Sequence, residues 1–309
     1  MTKPRGRVLV ILGPTAVGKT KVSLEVADKL HGEIICADSR QIYRFMDIGT
    51  AKPEPEQRRR IVHHLVDIKD PDEKFTAADF AREAKKVIPD LMARKKQAVV
   101  VGGTGLYIRA LTQGFFKGPG ADTRVREKLK KQAREKGREF LHKKLGEIDP
   151  EAASKIHPNN LIRVIRALEV YELTGVPISQ LQKKGNYQKK EFDFVEIGLN
   201  LKREKLYENI EKRVDQMMNQ GLLKEVRKLK ELGYSEDLGP LKTLGYKELF
   251  SYLKGDLSLP EAVDMIKKNT RNYAKRQLTW FKREEDITWF DAQAKETIPR
   301  IVEKFTKSP

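Results

Sequence analysis

Apolar residues come in short, unbroken blocks over the first hundred positions. Val8-Leu9-Val10-Ile11-Leu12, Glu33-Ile34-Ile35-Cys36-Ala37, His64-Leu65-Val66-Asp67-Ile68 and Gln97-Ala98-Val99-Val100-Val101 each have the length of a strand. Continuous, non-alternating apolarity belongs to strands covered on both faces, as in parallel sheets. Between the blocks the period turns helical, over 21–30 and most clearly over 77–94. Strand and helix in alternation predict an α/β fold, a parallel sheet with helices on both faces.

The pattern changes after Gly114. The stretch 117–144 holds eleven Lys/Arg against four Asp/Glu and few large apolar residues, and reads as exposed helix. Helical periodicity continues through Ile162, Ile165, Leu168 and Val170 and stops at Gly175-Val176-Pro177. A polar linker, Gln182-Lys183-Lys184-Gly185-Asn186, precedes a return to strand character over 192–201. Residues 115–191 are therefore expected to form an inserted helical subdomain, and 1–114 with 192–309 the core domain. Further core helices are expected over 206–221, 222–232, 241–253 and 259–283. No internal repeat or low-complexity tract interrupts the chain.

Composition narrows the partners. The 309 residues are 39% hydrophobic, enough for a packed core, and carry a formal net charge of +18. Such an excess calls for a polyanion, nucleic acid before anionic membrane, unless it is only a soluble lysine-rich surface. One cysteine, Cys36, rules out a disulfide framework or a four-cysteine zinc module within this sequence and fits a reducing cytoplasm. No apolar stretch approaches a membrane span or a secretory signal.

The first block runs into Gly13-Pro14-Thr15-Ala16-Val17-Gly18-Lys19-Thr20, which fits G-x-x-x-x-G-K-[ST] at every fixed position. With a strand before it and a helix after it, this is a phosphate-binding loop, and the fold is expected to be P-loop NTPase-like. Its N–H groups and the helix start favour a di- or triphosphate, Lys19 supplies a cation, and Thr20 a hydroxyl for Mg²⁺. Ligands of such sheets lie beyond the carboxyl ends of the strands. Asp38-Ser39-Arg40-Gln41 and Gly102-Gly103-Thr104-Gly105 follow two of the other blocks. Asp38 is the candidate general base, with helix capping or Mg²⁺ binding through water as the other readings. Thr104 could bond a phosphate or a substrate, or merely cap a turn. Asp67 could stand near a metal or be structural. Gly-Gly in place of an Asp-Glu pair after Val101 disfavours motor-type ATP hydrolysis. The scattered histidines build no metal site, and Cys36 within an apolar strand is a poor nucleophile. Late in the chain, 267–283 carries seven cations, among them Lys275 and Arg276, and no acid, with Tyr273, Trp280 and Phe281 interleaved. That mixture suits RNA, although part of it can be explained as an amphipathic helix with solvated cations.

Taken together these residues resemble the bacterial tRNA dimethylallyltransferases (tRNA isopentenyltransferases). Besides the phosphate loop, the likeness rests on Asp38-Ser39-Arg40-Gln41-Ile42-Tyr43-Arg44, Met46-Asp47-Ile48-Gly49-Thr50-Ala51-Lys52-Pro53, His63-His64-Leu65-Val66-Asp67 and Gly102-Gly103-Thr104-Gly105-Leu106-Tyr107. It continues through His157-Pro158-Asn159, Arg163, Arg166-Ala167-Leu168-Glu169-Val170, Gly245-Tyr246-Lys247-Glu248 and Arg271-Asn272-Tyr273-Ala274-Lys275-Arg276-Gln277. The resemblance implies transfer of a dimethylallyl group from dimethylallyl diphosphate to N6 of adenosine 37, in tRNAs reading codons that begin with U, with Mg²⁺ as cofactor. It further implies that the loop grips the diphosphate and that Asp38 takes the N6 proton. Ser39, Arg40 and Gln41 would meet the target base or its neighbours. Thr104 and Arg126 would lie at the reaction channel, and Ile162, Arg163, Val164, Ile165 and Arg166 would touch tRNA, whose anticodon stem-loop is the expected partner. No membrane partner is implied, and a monomer is expected. Three rival readings are an isopentenyltransferase acting on free adenylate, a kinase holding ATP in the same loop, and a non-catalytic RNA-binding NTPase switch.

Overall fold

The computed structural model describes residues 6–114, 118–184 and 191–307. Lys117 and the linker residues Gly185 and Asn186 lie outside the described residues. The chain divides into two compact units, 1–112 with 190–309 and 113–189.

The first unit opens with β1 (Arg7–Leu12), α1 (Lys19–Lys29), β2 (Gly32–Cys36), α2 (Pro55–Arg60), β3 (His63–His64), α3 (Ala77–Ala93), β4 (Gln97–Gly102) and α4 (Gly105–Thr112). The second unit holds α5 (Thr123–Lys136), α6 (Arg138–Ile148), α7 (Pro150–Lys155), α8 (Leu161–Thr174) and α9 (Ile178–Lys184). The first unit resumes with β5 (Asp193–Asn200), α10 (Arg203–Gln220), α11 (Leu222–Glu231), α12 (Tyr246–Lys254), α13 (Leu259–Phe281), β6 (Thr288–Asp291) and α14 (Thr297–Lys307). The six strands form one parallel sheet in the order β3-β2-β4-β1-β5-β6. Alternate residues of the same strand feed two cores. Val8, Val10 and Leu12 pack with Ile35, Val100 and the apolar faces of α3 and α4. Leu9 and Ile11 pack with Ile34, Val99 and residues of α1, α10 and α14. Coverage on both faces is why these strands read as unbroken apolar blocks. A third core joins Ile42, Tyr43 and Met46 to α11, α12 and α13. Among the described residues, no helix is long and apolar enough to cross a membrane.

The structure differs from the sequence pattern in several places. The block expected over 64–68 is strand only at His63–His64, because Leu65 and Asp67 take positive φ values of 62° and 57°. That turn sends Asp67 to Lys52 and Arg58, with oxygen–nitrogen distances of 2.5 and 2.6 Å. The helix expected from 241 starts at Tyr246, where Glu248 accepts from the Gly245 N–H at 2.9 Å and fixes the start. The stretch read as plain exposed helix is two helices with a core of their own. Gly137 separates them, and Leu129, Leu141 and Leu145 are fully buried with Val164 and Leu168 of α8. The expected polar linker is helix over its first residues, Gln182 to Lys184, which close α9, and α2, α4, α7, β6 and α14 had no counterpart in the pattern.

Candidate active site

Strand register sets the site. Leu12 pairs with Gly102, and Cys36 with Val101, so the carboxyl ends of β1, β4 and β2 lie level and adjacent. The turn after β4 therefore sits between the phosphate loop and Asp38. The close approach needs glycine at 102, where a Cβ would lie 2.0 Å from the Ala37 carbonyl oxygen.

The loop from Gly13 to Thr20 folds around its own lysine. Lys19 Nζ donates to the carbonyls of Gly13 and Pro14 at 2.9 and 2.7 Å. Val17 is buried in the core and anchors the loop, whereas Thr15 and Ala16 are half-buried and Thr20 is exposed. Gly18, at φ 102°, enters α1 without a side-chain cap, so the first amides of that helix are open to an anion. Two residues of α10 reach the loop: Asn209 Nδ2 donates to the Ala16 carbonyl at 3.2 Å, and Arg213 Nη1 lies 3.5 Å from Thr15 Oγ1. From α13, Gln277 Oε1 accepts the Thr15 N–H at 2.9 Å.

Asp38 follows β2 and turns back on its own loop. Its Oδ1 accepts the Arg40 N–H at 2.8 Å and the Gln41 N–H at 3.4 Å. Thr104 Oγ1 accepts the Ser39 N–H at 3.1 Å, which ties the second turn to the third. Gln41 donates to the carbonyls of Thr50 and Ala51 and accepts from the Cys36 thiol. Burial pushes that thiol well above its usual range and leaves it inert. Desolvation, reinforced by Arg213, lowers Lys19 to about 8, and Asp38 opposes the shift. Burial likewise lowers Arg213, again against Asp38. It raises Tyr273 to about 12, with Asp38 adding to the rise. One carboxylate thus shares a field with two desolvated cations and a tyrosine.

Other sequence candidates lie elsewhere. Asp67 is absorbed by its ion pairs with Lys52 and Arg58. In the second unit, Arg126 binds the fully buried Glu169 through two bonds of 2.8 and 3.0 Å. Arg166 shares the same carboxylate at 2.8 Å. The expected contact stretch in α8 divides: Ile162 and Arg163 are exposed, but Val164 and Ile165 are buried core residues with no side chain to offer a ligand. On α13, Lys275 and Arg276 are exposed, whereas Lys267 and Arg271 pair with Asp215 and Glu211 of α10. Among the described residues, no three His, Cys, Asp or Glu side chains cluster to hold a metal. The exposed Thr20 hydroxyl beside the open amides of α1 does fit Mg²⁺ carried by phosphate, an ion that takes few protein oxygens and keeps its waters.

Arg213, Asn209 and the role of Gln277 were missed by sequence reasoning. A signal exists for the first two. The buried stripe of α10 is Leu206, Ile210 and Val214, and Asn209 and Arg213 repeat beside it at the same spacing of four.

Comparison with known proteins accords with this geometry. The profile of the family described as IPP transferase matches residues 41–284. A tRNA dimethylallyltransferase of Geobacter metallireducens is 48% identical over 289 residues, 94% of either chain. One from Acetivibrio thermocellus is 49% identical over 296 residues, 96% of this chain and 95% of its own. The crystal structure of a tRNA isopentenylpyrophosphate transferase from Bacillus halodurans is similar with a TM-score of 0.71 and 44% identity, covering 97% of this chain and 94% of that one. A eukaryotic dimethylallyltransferase acting on tRNA is similar with a TM-score of 0.82 and 30% identity, over 98% of this chain and 80% of its own. At these identities and coverages, the chain belongs to the IPP transferase family.

Proposed function

We propose that this chain transfers a dimethylallyl group from dimethylallyl diphosphate to N6 of an adenosine in tRNA, namely adenosine 37 of tRNAs reading codons that begin with U. The reading is carried by the electrostatic reach of Asp38 to Lys19 and Arg213, two cations with no carboxylate ion pair among the described residues, at the level carboxyl ends of β1, β4 and β2.

An exocyclic adenine amine is a weak nucleophile, and an allylic carbon becomes cationic as diphosphate departs. The N6 lone pair forms the new C–N bond while the C–O bond breaks and its electron pair leaves with pyrophosphate. Lys19, Arg213 and the open amides of the loop stabilise that leaving charge. The N6 proton passes to the Asp38 oxygen that does not hold Arg40 and Gln41. Thr104 keeps the Asp38 turn against the end of β4. Mg²⁺, held by the Thr20 hydroxyl and phosphate oxygens, would supply further charge neutralisation. The base must leave the anticodon-loop stack to reach this site. In the second unit, exposed cations of α5 and α6 with Ile162 and Arg163 supply an RNA-facing surface, and Arg126 supplies positive charge on a rigid mount.

The test incubates the protein with unmodified anticodon stem-loop, Mg²⁺ and labelled dimethylallyl diphosphate. Label entering the RNA in step with pyrophosphate release is the expected result. Transfer to free AMP instead of RNA, or γ-phosphate transfer from ATP, would overturn the reading.

A further inference from the structure

Gln277 is a buried polar side chain that the proposed reaction does not use. Its amide is engaged at both ends: Oε1 accepts the Thr15 N–H at 2.9 Å, and Nε2 donates to the Gly103 carbonyl at 2.8 Å. These partners fix its orientation, since the flipped amide would set donor against donor and acceptor against acceptor. Glycine at 103 makes the reach possible, because a Cβ there would lie 2.4 Å from Gln277 Nε2.

A phosphate loop binds through its N–H groups, and each N–H already bonded to protein is one fewer for the ligand. The Thr15 N–H stands at the end of the loop where the Lys19 ammonium rests on Gly13 and Pro14. In such loops the lysine marks the outer end of the phosphate chain. Gln277 Oε1 occupies that N–H and places an acceptor oxygen there. A further phosphate oxygen arriving at this end would meet the Gln277 oxygen, acceptor against acceptor, and find no backbone donor at residue 15. We propose that Gln277 is a specificity-determining residue: by holding the Thr15 N–H it limits the loop to two phosphates and refuses a third. The inference rests on the diphosphate reading of the loop given above. It separates this loop from a nucleoside triphosphate site with the same sequence pattern.

The experiment measures binding of inorganic pyrophosphate and tripolyphosphate to the full chain by calorimetry at fixed free Mg²⁺. It compares wild type with Gln277→Leu, Gln277→Met and Gln277→Glu. Wild type is expected to prefer pyrophosphate. The Leu and Met variants free the Thr15 N–H and should cut that preference by about tenfold, the effect of one charge-assisted hydrogen bond. Gln277→Glu retains an acceptor on the Thr15 N–H and should keep the preference while weakening both anions. A Gln277 that only braces the fold would weaken both anions equally in the Leu and Met variants, and that result overturns the proposal. Equal binding of the two anions by wild type also overturns it. Failure of wild type to bind pyrophosphate removes the diphosphate reading itself. Should the Leu variant not melt cooperatively, the Met and Glu variants decide the matter.

Discussion

Two lysines of the first unit, Lys52 buried and Lys19 half-buried, are answered in opposite ways. Lys52, with its side chain 1% exposed, meets Asp47 and Asp67 at 2.5 Å each and the Tyr43 carbonyl at 2.8 Å. Burial works to raise the Asp67 carboxyl, but the bonds from Lys52 and Arg58 overcome it and hold the group below its usual range. Lys19 has carbonyl oxygens only, and its charged neighbours include a second cation, Arg213. The first arrangement is closed, and its cation ties Tyr43, Asp47 and Asp67 together. The second is open, so its cation is destabilised until an anion arrives. A lysine ion-paired with carboxylates marks architecture, and one whose ammonium is bonded to backbone carbonyls alone marks a ligand site.

The comparison can be broken at several points. The largest effect is expected from Asp38→Asn, which keeps the acceptor for the Arg40 N–H and loses the base. Single-turnover transfer should fall about a thousandfold with an unchanged melting curve. Activity within tenfold of wild type would remove Asp38 from the open region. Next comes the same truncation made in both regions. Lys19→Met should weaken pyrophosphate binding about a hundredfold and leave urea stability equal or higher. Lys52→Met should leave Asp47 without its cation and Asp67 with Arg58 alone. It should cost about 2–3 kcal/mol in urea unfolding, toward the low end for a broken buried pair because Asp47 is largely exposed. Equal stability losses in the two variants would erase the distinction.

A pH series sharpens it further. Lys19 in the folded chain titrates near 8, below its ordinary 10.5, so the folded state binds this proton less readily than the unfolded one. The resulting destabilisation is fully present below about pH 8 and fades as pH rises from 8 toward 10.5. The stability gained by Lys19→Met should therefore be largest at neutral pH and shrink through that window. Pyrophosphate affinity of the wild type should fall above about pH 8, and a flat profile would contradict the open-site reading. The smallest effect is expected in the second unit. Replacing Arg134 and Lys143, both exposed, with glutamine should make the slope of log affinity for anticodon stem-loop against log salt shallower, by about 0.7–0.9 for each phosphate that is no longer neutralised. An unaltered slope excludes these cations from RNA binding.

The sheet was legible where burial on both faces left a mostly apolar block, as at β1, β2 and β4, and at β5 through the return of strand character over 192–201. It was not legible at β6, which is only four residues long and too short to show a period. At β3 the composition suggested a full strand, but positive φ at Leu65 and Asp67 served the Lys52 network. The loop and its neighbouring turns could be read because their residues follow directly on strands. Gln277 could not, since it comes from a helix 262 residues after Thr15 and only packing aims it at the loop, and Arg213 left no signal but its spacing of four with Asn209 beside the buried stripe of α10. The stretch Ile162 to Arg166 shows the opposite limit: family resemblance marks five consecutive residues, but a helix can turn only some of them outward.

Lys19 is already fastened to Gly13 and Pro14 before any ligand comes. A lysine side chain free in solvent has about 2 kcal/mol of rotamer entropy to lose on binding. Here that loss belongs to folding of the chain, and anion capture is an exchange of oxygen partners that freezes nothing new. Capture should accordingly be quick and set by diffusion and charge steering, leaving differences among bound anions to appear in how slowly each departs.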